Sequence, residues 1–386
     1  MKKLRVCVVT GTRAEFGIWR MPLEAMRKSR LLDVRLVVTG MHLLKEFGNT
    51  VRDVEGSGIP IAARVGMYRK GEPAARSLAR GTEGLAGAYR KTGAEIVLVL
   101  GDRLEMLAAA SAALAERIAI GHVHGGESAP GIWDEQIRHA ITKMAQVHFC
   151  ATKLAGERIV RMGEARGSVH VAGAPALDGA ARFASHPALR AAVNRIYEGR
   201  RQLRRPILLL HPSGDDDARE KARAMEIIGA LRRVYPEHSL PTIGPNNDPG
   251  HRGILEAYAR RKADLSFFPS VPQEQFWTML MFGGVLVGNS SSGIIEAATF
   301  GIPVVNIGDR QAGRERNGNV VDVAWSAGEK GIAEAIGFAI SDKTFLRGVA
   351  KRKNLYGDGR ASQRIVGVLE GIAREGISLE KRFVTL

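Results

Sequence analysis

Residues 93–126, GAEIVLVLGDRLEMLAAASAALAERIAIGHVHGG, place one helical segment between two apolar ones. The first apolar segment is IVLVL (96–100), and the second is IAIGHV (118–123). Strands that are apolar throughout and alternate with helices are typical of a parallel sheet whose two faces are both covered. These residues therefore predict an α/β fold built on parallel strands.

The same order of strand, loop and helix recurs along the chain. It begins with LRVCVVTG (4–11) and a helix expected over IWRMPLEAMRKS (18–29). It weakens over residues 179–206, which we expect to connect two domains, and restarts with PILLLHP (206–212). A chain of 386 residues has room for about two domains. We therefore expect two Rossmann-like, doubly wound domains that face each other across a cleft. The expected segments are 1–185 for the first domain, 186–360 for the second, and 361–386 for a C-terminal helix and tail that pack back on the first.

The composition is that of a globular protein, with 45% hydrophobic and 25% charged residues. No window is long and apolar enough to span a bilayer, and the apolar run at the N-terminus is too short for a signal peptide. We therefore expect a cytoplasmic protein with no membrane partner. Cys7 and Cys150, the only cysteines, both lie in apolar runs and are expected to be buried, reduced thiols.

The formal net charge of +16 is compatible with binding to nucleic acid, to an anionic surface or to a phosphorylated substrate. The excess is mostly arginine scattered along the expected helices, without the interleaved aromatic residues that stack on bases. A small anionic ligand therefore explains the charge better than nucleic acid does.

In parallel α/β sheets, ligands bind beyond the C-terminal ends of the strands, so residues directly after each strand are candidates for a site. GNSSSGIIE (288–296) follows one such strand and opens a helix. Exposed N–H groups at a helix N-terminus bind phosphate, and Ser290 and Ser291 add hydroxyl donors. Gly293 would let a ligand approach the backbone, and Glu296 could accept ribose hydroxyls. The alternative is that the serines only cap the helix.

Arginines lie after other strand ends. Arg310 belongs to GDRQAGRER (308–316), where guanidinium groups could reach phosphate oxygens or could remain solvated on a loop. In TGTRAEFG (10–17), Arg13 is placed to meet an anion. Glu15 either contacts the ligand or is present because the helix dipole favours an acid in the first turn.

Asp102 and Arg103 follow the apolar strand IVLVL. Asp102 is either a catalytic carboxylate or the N-cap of a helix that starts at Leu104. Arg103 beside it would keep that carboxylate ionised.

HVHGGESAPGIWDEQIRHAITK (122–143) concentrates titratable side chains between a strand and a helix. His122 and His124 are two residues apart on the expected strand, so they should point the same way. The Gly-Gly pair then ends the strand and delivers Glu127 to its C-terminal edge. This set could bind a metal, could include a hydrogen-bonded core histidine, or could carry out acid–base catalysis with neighbouring charges that tune the pKa values.

Asp134 and Glu135 begin the next expected helix. Arg138 and His139 each lie four residues further on, so each acid could form an ion pair on its own face of the helix. Such pairs would account for these four residues by helix stability alone, but they leave Glu127 and the two histidines unexplained.

Ten short motifs occur in a fixed order between about residue 5 and about residue 370. The motifs are TGTRAEFG (10–17), VVTGMH (37–42), GDRLEML (101–107), HVHGGE (122–127), DEQIRHAITK (134–143), GAPALD (173–178), LLLHP (208–212), VGNSSSGIIEA (287–297), NIGDRQAGRERNGNV (306–320) and YGDGRAS (356–362). Together they resemble the motifs of the hydrolysing UDP-N-acetylglucosamine 2-epimerase family, which includes bacterial enzymes of sialic-acid and legionaminic-acid synthesis. Non-hydrolysing relatives typically carry HGDT and EAGLR where this chain has GDR and HGGE, which favours the hydrolysing branch.

The resemblance implies a two-domain fold like that of GT-B glycosyltransferases, with the nucleotide sugar between the domains. In the family's reaction, UDP leaves by anti elimination across C1–C2 and gives a 2-acetamidoglucal. Syn addition of water to the glucal then gives the free sugar of N-acetylmannosamine type, so that this sugar and UDP are the products. No cofactor or metal is implied, and we expect a homodimer or homotetramer.

The resemblance also implies roles for two groups of side chains. Because the C2 proton is not acidic, elimination depends on C1–O cleavage, so the diphosphate needs positive charge while a carboxylate takes the proton. The implied catalytic residues are Asp102, Glu127 and Asp134, with Glu135 beside it, and His211. The implied substrate-binding residues are Arg13, Arg103, His124, Ser290, Ser291, Gly293, Glu296 and Arg310.

Two segments depart from the family's usual sequence: SAPG (128–131), followed by Trp133, and SGDDD (213–217). Both are expected near the sugar pocket, so UDP-2,4-diacetamido-2,4,6-trideoxyglucose or GDP-N-acetylglucosamine would suit the same chemistry. Four further functions stay open for this sequence: a non-hydrolysing 2-epimerase, a glycosyltransferase of the same architecture, a metal-dependent hydrolase that uses the His-x-His pair, and a nucleotide-sugar sensor without catalysis.

Overall fold

The computed structural model describes residues 2–45, 48–128, 133–197, 204–237, 239–246 and 248–385. The chain divides into two compact units. Unit 1 comprises Met1–Asp178 and Tyr356–Leu386, and unit 2 comprises Gly179–Leu355. The boundaries expected from the sequence, after residues 185 and 360, lie a few residues downstream of these divisions.

Unit 1 alternates strands and helices and ends with one further helix. Its strands are β1 (Leu4–Thr10), β2 (Leu32–Thr39), β3 (Ile61–Val65), β4 (Ile96–Leu100), β5 (Ala119–Val123), β6 (Val147–Cys150) and β7 (Val169–Val171). Its helices are α1 (Arg13–Lys28), α2 (Val51–Gly56), α3 (Ala74–Thr92), α4 (Leu104–Ala115), α5 (Asp134–Met144), α6 (Lys153–Arg161), the start of α7 (Ala176–Ala184), and α16 (Ala361–Glu375).

The strands of unit 1 form one parallel sheet in the order β3-β2-β1-β4-β5-β6-β7. Alternate residues of β1 serve opposite faces, since Val6 and Val8 join one buried cluster whereas Cys7 and Val9 join another. Both faces of the sheet are therefore covered, as the uniformly apolar strands predict. Cys7 and Cys150 are both buried free thiols, which confirms the expectation for the cysteines.

Unit 2 repeats the alternation. Within the predicted connection over residues 179–206, α8 occupies Pro187–Tyr197, and residues 198–203 lie outside the described part of the chain. The strands are β8 (Pro206–Leu209), β9 (Leu240–Ile243), β10 (Leu265–Phe268), β11 (Val285–Gly288), β12 (Val304–Ile307) and β13 (Val320–Val323). The remaining helices are α9 (Asp217–Val234), α10 (His251–Arg260), α11 (Gln273–Phe282), α12 (Ser291–Ile295), α13 (Ala297–Phe300), α14 (Gly328–Ser341) and α15 (Lys343–Ala350).

The strands of unit 2 form a second parallel sheet in the order β10-β9-β8-β11-β12-β13. The order reverses between β8 and β11, and the equivalent reversal in unit 1 lies between β1 and β4. Ligands of doubly wound sheets bind outside the carboxyl ends of the strands at such a switch point. The predicted fold class, α/β with two Rossmann-like units, is confirmed. Among the helices of the described residues, none combines the length and the apolar content that a membrane span requires.

Helix α1 begins earlier than the apolar pattern predicts. The pattern places its start near Ile18, but the helix begins at Arg13. The reason is a capping box, in which the Thr12 hydroxyl accepts from the Glu15 N–H (3.3 Å) and the Glu15 carboxylate accepts from the Thr12 N–H (3.2 Å). The apolar pattern misses the first turn because that turn is held by polar side chains.

Helix α16 packs on α1 and completes the core of unit 1. Ile365 and Leu369 are fully buried in that core. Asp178 of α7 caps the N-terminus of α16, because its two carboxylate oxygens accept from the N–H groups of Ala361 (2.8 Å) and Ser362 (2.6 Å). A carboxylate at this place satisfies donors that the helix leaves unpaired and opposes the positive end of its dipole.

Asp178→Ala should lower the free energy of unfolding of the full chain by about 1–2 kcal/mol, which is the cost of losing a good N-terminal cap. Urea unfolding followed by circular dichroism measures this change. Asp358→Ala is a matched control, since its side chain is 52% exposed and pairs with Arg364 at the surface, where such a pair contributes at most about 1 kcal/mol. Equal losses in the two variants would contradict the capping role.

Candidate active site

Asp102 and Glu127 follow the C-terminal ends of two adjacent strands of unit 1, β4 and β5. Helix α4 begins at Leu104 with Arg103 as its N-cap residue and without a side-chain cap. The alternative in which Asp102 caps this helix is therefore wrong. The Asp102 carboxylate, 19% exposed, contacts a residue of another helix.

That residue is Arg138 of α5, whose side chain is only 2% exposed. One guanidinium nitrogen contacts Asp102 Oδ2, and the other lies 3.6 Å from Glu127 Oε2. The sequence pattern pairs Arg138 with Asp134, which is wrong, because Arg138 contacts Asp102. Arg103 Nε lies 3.4 Å from Glu105 Oε2, and its expected effect on the ionisation of Asp102 stays a prediction. Arg138 instead joins the two carboxylates that follow β4 and β5 into one buried ionic network.

His124 extends this network to a further side chain. Strand β5 ends at Val123, and the main chain at His124 has a positive φ of 62°. This turn carries the imidazole to Glu127, so that His124 Nδ1 bonds to Glu127 Oε1. Glu127 therefore contacts His124 through one oxygen and Arg138 through the other.

His122 does not point with His124, contrary to the expectation from strand alternation. Its Nε2–H donates to the Gly101 carbonyl (2.8 Å), and its Nδ1 lies 3.1 Å from Thr142 Oγ1. Burial lowers the pKa of His122 to about 3, so the ring is neutral at physiological pH. His122 is thus the hydrogen-bonded core histidine. Over the described residues, no group of three or more His, Cys, Asp or Glu side chains is arranged to hold a metal ion.

The Gly-Gly pair before Glu127 is required by close contacts on both sides. A Cβ at Gly125 would lie 2.8 Å from the His122 ring, and a Cβ at Gly126 would collide with the Ala155 carbonyl. Gly126 also has a positive φ of 75°. Arg158 of α6 donates to the Gly126 carbonyl. The turn is therefore a fixed support that sets the position of Glu127.

The two acids at the start of α5 differ in their surroundings. Glu135 Oε1 accepts from Ser128 Oγ (3.0 Å) and lies 3.2 Å from His139 Nε2, so the expected pair on this face of the helix is present. Asp134 is the first residue of the helix, and within the described residues its side chain has no hydrogen bond or ion pair. The unusual segment before them falls mostly on residues 129–132, which lie outside the described residues.

Arg103 contacts two buried carboxylates that the sequence pattern does not bring together. Its Nε lies 3.4 Å from Glu105 Oε2 and 3.9 Å from Glu15 Oε1. The Glu105 side chain is fully buried, and that of Glu15 is 6% exposed. Burial, and next the charge of Glu105, raise the pKa of Glu15 to about 7. Glu15 thus belongs to a capping box and to a buried pair of acids, and its contact with a ligand stays a prediction.

Arg13, the other arginine expected near an anion, lies at the surface of unit 1. Its side chain is 54% exposed, and its Nε lies 3.1 Å from Asp53 Oδ2. Such a pair is weak in water, so a phosphate could replace the aspartate. The ligand contact of Arg13 stays a prediction.

In unit 2, His211 follows β8 in a fixed orientation. The Asn246 N–H donates to His211 Nδ1 (3.1 Å), so the ring hydrogen is on Nε2. Burial, and next the charge of Arg310, lower the pKa of His211 to about 3. The imidazole is therefore a neutral hydrogen-bond donor over the physiological range.

Ser290 is the N-cap residue of α12, and its hydroxyl accepts from the Ser292 N–H (3.4 Å). The capping alternative is therefore present, and it leaves the Ser290 hydroxyl hydrogen for a ligand. Ser291 is the first residue of this helix. The sequence predicts one helix here, but α12 ends at Ile295, and α13 follows after a turn at Glu296.

Gly293 and Glu296 lie in contacts that the sequence does not predict. A Cβ at Gly293 would lie 3.0 Å from Val304 Cγ1 of β12, so this glycine permits close packing on the sheet, and the approach of a ligand to its backbone stays a prediction. Glu296 Oε1 accepts from Trp277 Nε1–H (2.9 Å). Burial raises the pKa of the Glu296 carboxyl. A ribose would have to use the remaining lone pairs of this carboxylate.

Arg310 lies beside the loop of His211. Its Nε donates to the Pro212 carbonyl (3.2 Å), one terminal nitrogen lies 3.5 Å from Asp248 Oδ2, and the side chain is 24% exposed. Arg316, from the same cluster in the sequence, pairs with Asp322 (2.8 Å). Of these two arginines, Arg310 is the one that faces the strand-end loops.

The structure thus brings the predicted residues together in two sets. In unit 1, Asp102, Glu127 and His124 share one network, and in unit 2, His211 and Arg310 lie together. Sequence reasoning missed the residue at the centre of the first network, Arg138, because its position four residues after an acid already had a simpler explanation. It also missed Glu105, Trp277 and Asn289, which follows β11 and whose side-chain amide bonds to the main chain of His211.

Comparison with known proteins gives matches to 2-epimerases of UDP sugars. The sequence profile described as UDP-N-acetylglucosamine 2-epimerase matches residues 24–370. A Legionella pneumophila protein, UDP-N,N′-diacetylbacillosamine 2-epimerase (hydrolyzing), is 34% identical over 385 residues, which cover 98% of this chain and 98% of that one. UDP-N-acetylglucosamine 2-epimerase of Neisseria meningitidis serogroup B is 32% identical over 391 residues, with 99% of each chain covered.

A solved structure shows the same fold. UDP-GlcNAc 2-epimerase from Neisseria meningitidis, bound to UDP-GlcNAc, gives a TM-score of 0.79 and covers 95% of this chain and 99% of its own. The sequence identity in that comparison is 19%, so the likeness concerns the fold.

Glu15→Gln tests the buried pair of acids through pH. Folding raises the pKa of Glu15 from 4.5 to about 7, so the folded state keeps a proton that the unfolded chain releases in this range. The free energy of unfolding of the wild type therefore falls as pH rises between these values. Glutamine also suits this position of a capping box, so Glu15→Gln should gain stability relative to the wild type as pH rises.

Urea unfolding at about pH 5 and about pH 8 measures the difference, since these values bracket the raised pKa. Glu24→Gln, on the same helix with a side chain that is 44% exposed, is the control. If the stability difference between Glu15→Gln and the wild type stays constant with pH, the pKa of Glu15 is not raised in the folded state.

Proposed function

Because the chain belongs to the UDP-N-acetylglucosamine 2-epimerase family, we propose that it is a hydrolysing 2-epimerase of UDP-activated 2-acetamido sugars. Its products are UDP and the free sugar with the opposite configuration at C2. The observation that carries the proposal is the buried network in which Arg138 joins Asp102 and Glu127 at adjacent strand ends. Two acids at such a place suit a reaction that removes one proton and delivers another.

The first half of the reaction is the anti elimination of UDP. A carboxylate takes the proton from C2, a double bond forms between C1 and C2, and the electron pair of the C1–O bond leaves with UDP. The C2 proton is not acidic, so the departure of UDP must carry the step, and positive charge at the diphosphate assists it. Arg310, Arg13 and Arg103 supply that charge in this proposal, and Ser290 and Ser291 add hydroxyl donors.

The second half adds water across the double bond on one face. The water oxygen bonds to C1 and gives a proton to one carboxylate, while C2 receives a proton from an acid. Asp102, Glu127 and Asp134 are the proton carriers, with Glu135 beside them. His124 orients Glu127 through its Nδ1 contact.

Unit 2 binds the nucleotide in this proposal. His211, which is neutral and carries its hydrogen on Nε2, donates to the substrate without adding charge. Glu296 accepts from the ribose hydroxyls, as acidic residues do in other nucleotide-binding folds of this class. The loops after β8, β11 and β12 then surround the diphosphate.

Two sugar nucleotides are candidates for the substrate, and they differ in the sugar. UDP-N-acetylglucosamine is the first, because the family profile bears its name. The second is UDP-N,N′-diacetylbacillosamine, a 2,4-diacetamido-2,4,6-trideoxy sugar nucleotide that the name of the Legionella relative specifies. Both have UDP at C1 and an acetamido group at C2, so the same elimination and hydration apply to either.

Incubation with each nucleotide sugar in deuterated water, followed by NMR, tests the proposal. The expected products are UDP and a free sugar with inverted configuration and deuterium at C2, because the glucal takes its new C2 hydrogen from solvent. An inverted sugar that keeps its UDP would identify a non-hydrolysing epimerase. UDP release without deuterium at C2 would show simple hydrolysis, and activity that a chelator abolishes and zinc restores would favour a metal-dependent hydrolase.

Asp102→Asn should keep UDP binding and lose turnover. The amide retains the shape of the carboxylate but cannot accept a proton, and proton transfer by a placed group contributes about 10²–10⁴-fold to rate. Steady-state kinetics and calorimetry with UDP measure the two effects. Asp33→Asn, which removes a carboxylate of β2 that pairs with Arg35, controls for the change in net charge. Wild-type turnover by Asp102→Asn would remove Asp102 from the mechanism.

Glu296→Ala should weaken UDP binding about tenfold or more, since hydrogen bonds to a charged group contribute about 1.5–3 kcal/mol. Calorimetry with UDP measures this loss. Trp277→Phe removes the indole donor to Glu296 but keeps the carboxylate, so it separates the ribose contact from the contact within the protein. Unchanged affinity in Glu296→Ala would show that the carboxylate does not touch the nucleotide.

A further inference from the structure

We propose that Asn289 is a positioning residue that holds the loops of His211, Ser290 and Arg310 in one arrangement. The inference rests on the proposed function, in which those loops bind the diphosphate sugar. Asn289 has no exposed surface. It therefore acts through the residues around it and not by touching substrate.

The Asn289 side chain forms two hydrogen bonds with the main chain of His211. Its Oδ1 accepts from the His211 N–H and its Nδ2 donates to the His211 carbonyl, both at 2.8 Å. An amide that accepts from a residue's N–H and donates to its carbonyl forms the same hydrogen bonds as the main chain of a neighbouring strand. The Asn289 side chain therefore extends the pairing of β8 with β11 beyond Leu209 and Gly288. Asn289 Nδ2 also lies 3.3 Å from Ser213 Oγ, so both of its hydrogens are used.

The main-chain carbonyl of Asn289 makes the connection to the third loop. It accepts from Gln311 Nε2 (3.0 Å) and lies 3.4 Å from a terminal nitrogen of Arg310. Arg310 in turn donates to the Pro212 carbonyl, directly after His211. The loop after β12 is thus tied to the loops after β8 and β11 through one residue.

Gly288 makes this close approach possible. Its φ is 141°, and a Cβ there would collide with the Leu209 carbonyl of the neighbouring strand. The glycine lets β11 end close against β8, where the Asn289 amide meets the His211 peptide groups. Ser290, which caps α12, follows directly in the chain, so its place depends on the same residue.

A buried amide is tolerated only when its polar groups are paired, because each unpaired group costs about 1–3 kcal/mol. The Asn289 amide meets this condition, and its partners, His211 and Ser213, both lie in the loop that follows β8. The orientation of the His211 ring depends on these hydrogen bonds, because the Asn246 N–H reaches Nδ1 only while the His211 main chain stays in place. Asn289 therefore sets the direction of the His211 Nε2–H.

Asn289→Ala should lower kcat/KM for the nucleotide sugar by about 100-fold, because a displacement of about 1 Å in the placement of reacting groups has an effect of this size. Asn319→Ala is the matched control. Asn319 is 2% exposed, and its Nδ2 donates to the Ile302 carbonyl (2.8 Å). It precedes β13, at the N-terminal edge of the same sheet and away from the strand-end loops.

A double-mutant cycle with His211→Ala separates positioning from a general loss of stability. If Asn289 acts through His211, then His211→Ala costs less in the Asn289→Ala background than in the wild type, and the two effects are less than additive. In the Asn319→Ala background, His211→Ala should cost as much as in the wild type. Asn289→Asp, which keeps the shape and the acceptor for the His211 N–H, provides a second variant for the cycle.

Additive effects in the cycle, or wild-type kcat/KM in a folded Asn289→Ala protein, would overturn the inference while the proposed function stood. A wild-type protein that neither binds UDP nor turns over a nucleotide sugar would overturn the proposed function, and this inference with it. Thermal denaturation of each variant establishes that it is folded at the assay temperature.

Discussion

The guanidinium of Arg138 lies where almost no water reaches it, with 2% of the side chain exposed, and the strand-end loops of unit 1 are arranged around this charge. A buried positive charge is tolerated only when acids meet it. Those acids come from adjacent strand ends, Asp102 after β4 and Glu127 after β5, so the two loops cannot vary independently. Loss of either acid would leave the charge of the guanidinium only partly neutralised. Asp102 and Glu127 are therefore responsible both for the order of this sheet edge and for its proposed chemistry.

Unit 2 orders its strand-end loops with neutral groups. An amide, a neutral imidazole and main-chain carbonyls connect them, and Arg310 is the cation that these groups surround. The two networks therefore differ in electrostatic character, since the first presents the carboxylates of Asp102 and Glu127 and the second presents Arg310 with neutral donors. On the proposed function, this is the distribution that a reaction needs when it takes a proton from carbon while an anion departs.

The sequence predicts the fold well, because burial on both faces of a sheet leaves uniformly apolar strands that are easy to recognise. The resemblance of the motifs to one family is likewise confirmed. Side-chain direction is what the pattern cannot supply. His124 has a positive φ, which is uncommon outside glycine, so the alternation that relates it to His122 fails just beyond the strand. The partners of Arg138 escape prediction for a related reason: helical spacing reveals partners on the same helix, whereas Asp102 and Glu127 come from distant strands.

The place of α16 in unit 1 has a consequence for biosynthesis. Ile365 and Leu369 belong to the core built by β1 and α1, although all of unit 2 precedes them in the chain. The ribosome therefore delivers unit 2 in full before it supplies the last piece of unit 1. During that interval the face of α1 that receives α16 is not buried, so apolar surface of the nascent N-terminal half stays exposed until residues 361–375 pack on it.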